Sequence, residues 1–263
     1  MPAEGKKSKS KAARPAGRLL CRVRETLKLR QTGGKGGIRM TSDVRLRAVI
    51  ITNGHLTDPA GARQHVRAGD WVICADGGAH HARAMGIVPD VVIGDLDSID
   101  PDLRAELEAA GVRFEVHPAR KDETDLELAL RLAVAGGAAE IDVLAVLGGR
   151  LDQSLANLLL LARPEWASAQ VRVIEENEVA WPVWGGQTTS VAGAVDDTLS
   201  LVPLTPTVTG VTLEGVEWPL HDATLHFGST WTISNALSAS TARLEVGEGL
   251  VLVVHQSVCS KEK

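Results

Sequence analysis

From residue 46 the chain alternates short apolar runs with segments of helical period. The runs are RAVIITNG, WVICAD, VVIG, VRFEVHP, IDVLAVLGG and VRVIEEN. Most are unbroken apolar stretches, which predicts strands covered on both faces. Between them stand AHHARAMG, a segment opening at Asp100-Pro101, TDLELALRLAVAGG and LDQSLANLLLLAR. Strands separated by helices of about a dozen residues predict a parallel sheet with right-handed crossovers. Asp100 and Pro101 suit the N-cap and first positions of a helix, and Asp102 suits its first turn.

Around residue 178 the pattern changes. The stretch from VAWPVWGGQTTS to EGVEWPL is rich in Thr, Val, Gly and Pro, with no helical period. ATLHFGSTWTISNALSASTARLEVGEGLVLVVHQ continues in the same manner. Short strands joined by turns predict an all-β sandwich. The expected fold class is therefore α/β: a parallel-sheet, Rossmann-like N-terminal domain followed by an all-β sandwich. The expected divisions are a basic extension at 1–42, an α/β nucleotide-binding domain at 43–177, the sandwich at 178–255 and a tail at 256–263.

Composition adds little until charge is divided along the chain. A 263-residue chain with 44% hydrophobic and 23% charged residues fits an ordinary globular protein. No apolar run has the length of a membrane span. The net charge of −5 conceals a basic arm: residues 1–39 carry twelve Lys/Arg and two Asp/Glu, so the remainder carries −15. Such an arm could bind nucleic acid or direct the chain to an organelle. Its lack of aromatics and apolar periodicity favours a solvated tail, or sequence upstream of a start at Met40. The acidic body argues against nucleic acid as the main partner. Three cysteines (Cys21, Cys74 and Cys259) lack metal-ligand spacing and point to a reducing, cytoplasmic setting.

In an open parallel sheet, ligands bind beyond the carboxyl ends of the strands. Four polar clusters fall there: ADGG after the second strand, GDLDS after the third, ARKDETD after the fourth and LGGRLDQ after the fifth. If GDLDS stays extended, Asp95 and Asp97 face the same way. Two adjacent carboxylates repel unless a cation lies between them, and hard oxygen donors suit Mg²⁺. Thr124 and Glu127 fit a capping box, and Asp125 would then begin the helix. Lys121 beside that helix N-terminus offers positive charge and free amides for phosphate. Gly148 and Gly149 permit close backbone approach, and Arg150 offers a fork suited to phosphate. Asp152 reads equally as a helix cap or a ligand contact, and Gly77-Gly78 after Asp76 as a tight turn or a nucleotide contact. Neither GxxxxGK[ST] nor a strand–helix GxGxxG occurs.

Together DGGAHHARAMGIVPDVVIGDLDSI, KDETDLELAL, LGGRLDQSLANLLLL and GVTLEGVEWPLHDATLHFGSTWTISN resemble the thiamine pyrophosphokinase (thiamine diphosphokinase) family over about residues 46–255. The resemblance implies Mg²⁺-dependent transfer of diphosphate from ATP to the thiamine hydroxyl, with release of AMP. It implies a homodimer with active sites at the subunit interface, and a thiamine-binding sandwich. Asp95, Asp97 and Asp125 match the family's metal- and phosphate-associated acids. Asp76, Gly77, Lys121, Thr124, Arg150, Asp152 and Gln153 fall on the nucleotide side. Trp218, Ser234 and Asn235 match segments associated with thiamine. An indole suits a flat cationic ligand, although by its own pattern Trp218 reads as core. Trp231 could be a rim contact or packing. Two other functions are open to such a chain: diphosphate transfer to another alcohol, such as a pterin carbinol, or non-catalytic regulation by nucleotide or thiamine binding.

Overall fold

The computed structural model describes residues 46–258. The basic arm and the last residues of the expected tail lie outside them. The parallel strands are β1 (Leu46–Ile51), β2 (Trp71–Ala75), β3 (Val91–Gly94), β4 (Arg113–Val116), β5 (Ala138–Leu144) and β6 (Gln170–Glu175). They are joined through helices α1 (Pro59–Arg63), α2 (Gly78–Ala84), α3 (Pro101–Ala109), α4 (Asp125–Ala135) and α5 (Leu151–Leu160). A 3₁₀ turn, Pro164–Trp166, precedes β6.

The central parallel runs sit where their apolar residues require, whereas β4, at the sheet edge, has no buried residue and exposes Val116. β1 and β3 are buried along almost their whole length, and α-helical layers cover both faces of the sheet. Leu126, Ala129, Leu130 and Ala133 of α4 pack on one face. Ala79 and Ala82 of α2, with Leu103 and Leu107 of α3, pack on the other. Cys74 is free and wholly buried, and burial pushes its thiol ionisation far upward. α1, five residues long with no buried side chain, has no apolar stripe for the sequence to betray.

Among the described residues the chain after β6 contains strands and no helix: β7 (Glu178–Trp184), β8 (Thr188–Ala192), β9 (Thr198–Pro203), β10 (Thr207–Glu214), β11 (Leu220–His226), β12 (Asn235–Ala236), β13 (Thr241–Glu245) and β14 (Leu250–Gln256). The strand direction reverses between β6 and β7, at the change of pattern near 178. Hydrogen bonding does not stop there. One ten-stranded mixed sheet runs β12-β9-β14-β7-β6-β5-β1-β2-β3-β4, beside a four-stranded antiparallel sheet, β11-β10-β13-β8. Leu199, Leu201 and Val253 of the large sheet share a core with Val191, Leu213 and Leu244 of the small one. None of the described helices is long and apolar enough to cross a membrane.

The order β6-β5-β1-β2-β3-β4 positions the site. The chain winds outward from β1 to β4, then returns to the other side of β1, so a switch point falls between β1 and β5. The loops after these two strands are stitched together: Gly54 N–H donates to Ala145 O at 2.8 Å, and His55 N–H to Leu147 O at 2.7 Å.

Candidate active site

Three carboxylates converge at the ends of β2 and β3. One oxygen each from Asp76, Asp95 and Asp97 lies within 4.8 Å of the others. Asp76 follows β2 in a left-handed conformation (φ 44°) and is 8% exposed, with its Oδ1 buried and unpartnered among the described residues. Asp95 and Asp97 meet by a route other than the extended one. Leu96 between them has φ 64°, and its side chain is anchored in the core under α2 and α3. The resulting turn brings Asp97 N–H to 3.3 Å from Asp95 Oδ1. A left-handed branched residue costs conformational energy, and the buried leucine offsets it. The two acids do converge, then, although the segment is not extended.

Gly94 keeps this edge narrow. A Cβ there would lie 3.1 Å from both Asp125 Oδ1 and Asp76 Cβ. Asp125 opens α4, whose N-cap Thr124 accepts from Glu127 N–H at 3.2 Å. Only this half of the expected capping box forms. The Glu127 carboxylate turns to Arg131 and Arg163 instead, each at 2.6 Å. Asp125 Oδ1 is 2.9 Å from Lys121 Nζ. Burial raises the Asp125 carboxyl above the ordinary range, Lys121 opposes this, and the charges of Asp76 and Asp95 add to it. Asp125 is thus a neighbour of the three-acid cluster, held by its own cation.

The other residues expected on the nucleotide side lie after β2, β4 and β5, at the same carboxyl end of the sheet. Gly77 and Gly78 begin α2, where side chains have no room: a Cβ at Gly77 would meet Asn53 Nδ2 at 2.4 Å, and one at Gly78 would meet Ile51 O at 2.1 Å. Gly148 likewise lies against the His55 ring, at 2.4 Å from where its Cβ would be. Arg150, not Asp152, occupies the N-cap position of α5. Asp152 lies in the first turn, where its carboxylate pairs with the Arg150 guanidinium, and Gln153 is exposed beside it. The Arg150 contact lowers the Asp152 carboxyl and raises the guanidinium. Asn53 and His55 are site-edge residues that sequence reasoning missed. Their signal was the polar TNGH ending the first strand.

Trp218 is 58% exposed, so it is not a core residue. Asn235 is buried and clamps it: Asn235 Oδ1 accepts from Trp218 N–H at 3.1 Å, and Nδ2 donates to Trp218 O at 2.7 Å. Ser234 has φ 61°, and its N–H donates to Ser200 Oγ at 2.9 Å. Trp231 is also exposed. Among the described residues no hydrogen bond or ion pair links Trp218, Ser234 or Asn235 to the acid cluster.

Three convergent carboxylates of this kind could hold a hard cation, Lys121 and Arg150 could bind phosphate oxygens, and the indole is presented separately. Residues 62–174 match the thiamin pyrophosphokinase catalytic domain. Residues 189–251 match the thiamin pyrophosphokinase vitamin B1 binding domain. The chain belongs to the thiamin pyrophosphokinase family. It is 29% identical to a thiamine pyrophosphokinase of Bacillus subtilis strain 168 over 172 residues, 65% of this chain and 80% of that one. It is 23% identical to thiamine pyrophosphokinase 1 of Oryza sativa subsp. japonica over 206 residues, 69% of this chain and 77% of that one. A crystal structure of the Geobacillus thermodenitrificans thiamin pyrophosphokinase superposes with a TM-score of 0.71 at 27% identity, covering 82% of this chain and 99% of that one. The Bacillus subtilis structure gives 0.72 at 24% identity, covering 81% and 100%.

Proposed function

We infer that this member of the family catalyses transfer of the diphosphate group of ATP to the hydroxyl of thiamine, giving thiamine diphosphate and AMP. The observation that carries the reading is the convergence of Asp76, Asp95 and Asp97, none of them paired with a cationic side chain among the described residues, at the sheet edge that also presents Lys121 and Arg150. The buried, unpartnered Oδ1 of Asp76 and the all-oxygen donor set fit Mg²⁺. Asp95 and Asp97 serve as ligands in this reading, with Asp76 as their third and Asp125 adjoining. When bound, the ion neutralises charge developing on phosphoryl oxygens.

The chain's own residues do the rest by positioning and electrostatics. Lys121 and Arg150 hold the phosphates, and Gly77 and the Gly148-Gly149 turn allow the nucleotide to approach the backbone. Thr124 fixes the start of α4, so that Asp125 and Lys121 face the same group. Asp152 orients Arg150, and Gln153 lies on the same turn. The thiamine hydroxyl attacks the β-phosphorus in line, the new O–P bond forms, and the bond to the α-phosphate oxygen breaks to release AMP. Asp97 or Asp125 accepts the hydroxyl proton. Trp218 stacks on the cationic thiamine rings, with Ser234 beside it and Asn235 fixing the indole's backbone.

We further propose a division into a nucleotide-binding part (43–177) and a thiamine-binding part (178–255), and assembly as a homodimer in the cytoplasm. Leu151, Leu155 and Leu159 form an exposed stripe on α5, the helix that begins at Arg150, and a second copy would cover it beside the site. The buried free thiol of Cys74 suits a reducing compartment. AMP release from Mg²⁺-ATP, compared for thiamine and a panel including a pterin carbinol, tests the assignment. Stimulation by thiamine is expected. Equal release without it, or ligand binding with no AMP, would overturn the reading.

A further inference from the structure

The loop between β5 and α5 has its backbone groups taken up one after another. Ala145, in a left-handed conformation (φ 55°), accepts from Gly54 N–H and the Thr52 hydroxyl. Val146 O accepts from Asn157 Nδ2 at 3.1 Å, Leu147 O from His55 N–H, and Gly148 N–H donates to Ser154 Oγ at 3.2 Å. The two successive N–H groups that follow Ala145, those of Val146 and Leu147, both donate to Glu175 Oε1, at 2.5 and 2.9 Å. Successive N–H groups beyond a left-handed residue form a concavity that attracts anions. Here a carboxylate of the same chain fills it. The register makes this possible: Leu144 pairs with Ile174, which sets Glu175 beside the first residues of the loop.

We propose that Glu175 is a positioning residue for nucleotide binding: as a built-in anion it fixes residues 145–147, and so the placement of Gly148, Gly149 and Arg150 against the phosphates of ATP. It also occupies the first anion-attracting turn after β5, leaving the phosphates to the turn beyond. Removing the carboxylate frees two buried-side donors and lets the glycine pair move, and small misplacements of binding groups cost large factors in rate and affinity. Thiamine contacts on the far strands should not feel the change.

The inference rests on the nucleotide-binding role given to this edge above, and its test has two readouts. In the full chain, amide hydrogen exchange at Val146 and Leu147 should accelerate in Glu175→Ala. Michaelis constants should split, with that for Mg²⁺-ATP rising at least about tenfold and that for thiamine staying within about twofold. Glu175→Gln, which keeps one acceptor oxygen, should fall between the wild type and Glu175→Ala, and it carries the test if the alanine variant does not fold. Unchanged exchange and an unchanged constant for ATP would overturn the proposal, as would equal deterioration for both substrates. A wild-type chain that bound a non-hydrolysable ATP analogue but formed no AMP would sink the catalytic reading alone. The affinity of each variant for that analogue would still decide the role of Glu175.

Discussion

Two groups of acids stand on the same parallel sheet, one buried within it and one running from buried Asp76 to exposed Asp97 at its edge, and their partners differ. Asp142, in the middle of the sheet and 1% exposed, is enclosed by Arg47 and Arg172. Arg47 pairs in turn with Asp70 and donates to His65 O at 2.8 Å. Asp76, Asp95 and Asp97 converge at the carboxyl edge with no cationic side chain in ion-pair range among the described residues. The first group is balanced by the chain itself and contributes architecture. The second has no such partner in the chain among the described residues, which suits it to a bound cation. Acid content alone does not tell these apart. Charge balance does.

That contrast can be broken from either side. The largest effect is expected at the unbalanced group: Asp95→Asn should lower kcat by at least about 100-fold while leaving the thermal midpoint unchanged or slightly raised, since it removes a repulsive charge. Steady-state AMP release and a melting curve measure both. Next comes the balanced group. Asp142→Asn should cost roughly 3–5 kcal/mol in denaturant unfolding, because Arg47 is left buried with less compensation, yet the folded fraction should keep its turnover. A smaller effect belongs to the indole: Trp218→Ala should raise the Michaelis constant for thiamine by about tenfold, with that for ATP unmoved.

The smallest effect tests a third acid. Burial opposes ionisation of Asp197, but N–H donation from Val258 and Ala194 and the contact with His255 at 3.0 Å outweigh it, holding the carboxyl below the ordinary range. A depressed folded value means that the contribution is present above the unfolded carboxyl's range, about 3.9, and is lost as pH falls through the lower folded value. Asp197→Asn should therefore lower the midpoint near neutrality and flatten its acid limb below about pH 4. Thermal midpoints taken from pH 7 down to strongly acidic conditions check this.

Much of this was legible in the sequence. Short apolar runs, most of them unbroken, marked all six parallel strands, and the polar clusters after them marked the edge where three acids converge. Asp95 and Asp97 do converge, but through a turn and not the extended segment their spacing suggests. Nothing in GDLDS tells that Leu96 adopts a left-handed turn, because its tolerance of that strain comes from a core assembled by other segments. Asp76 was read only as a nucleotide neighbour, since its convergence with Asp95 depends on how β2 and β3 align. Glu175 was invisible for the same reason: its partners are 28 and 29 residues away, fixed by strand register. The change of pattern at 178 marked the start of the all-β part but not the continuity of the sheet across it, because alternation reveals a strand's faces and not its neighbours.

The central claim is that Asp76, Asp95 and Asp97 form one divalent-cation site on which diphosphate transfer depends. The most direct measurement is the Mg²⁺ dependence of AMP formation from ATP and thiamine, in the wild type and in Asp76→Asn, Asp95→Asn and Asp142→Asn. The expected result is no AMP without a divalent cation and a half-saturating Mg²⁺ concentration raised at least about tenfold, or activity lost, in the first two variants. Asp142→Asn should keep the wild-type requirement. Wild-type Mg²⁺ dependence in Asp76→Asn and Asp95→Asn would contradict the claim.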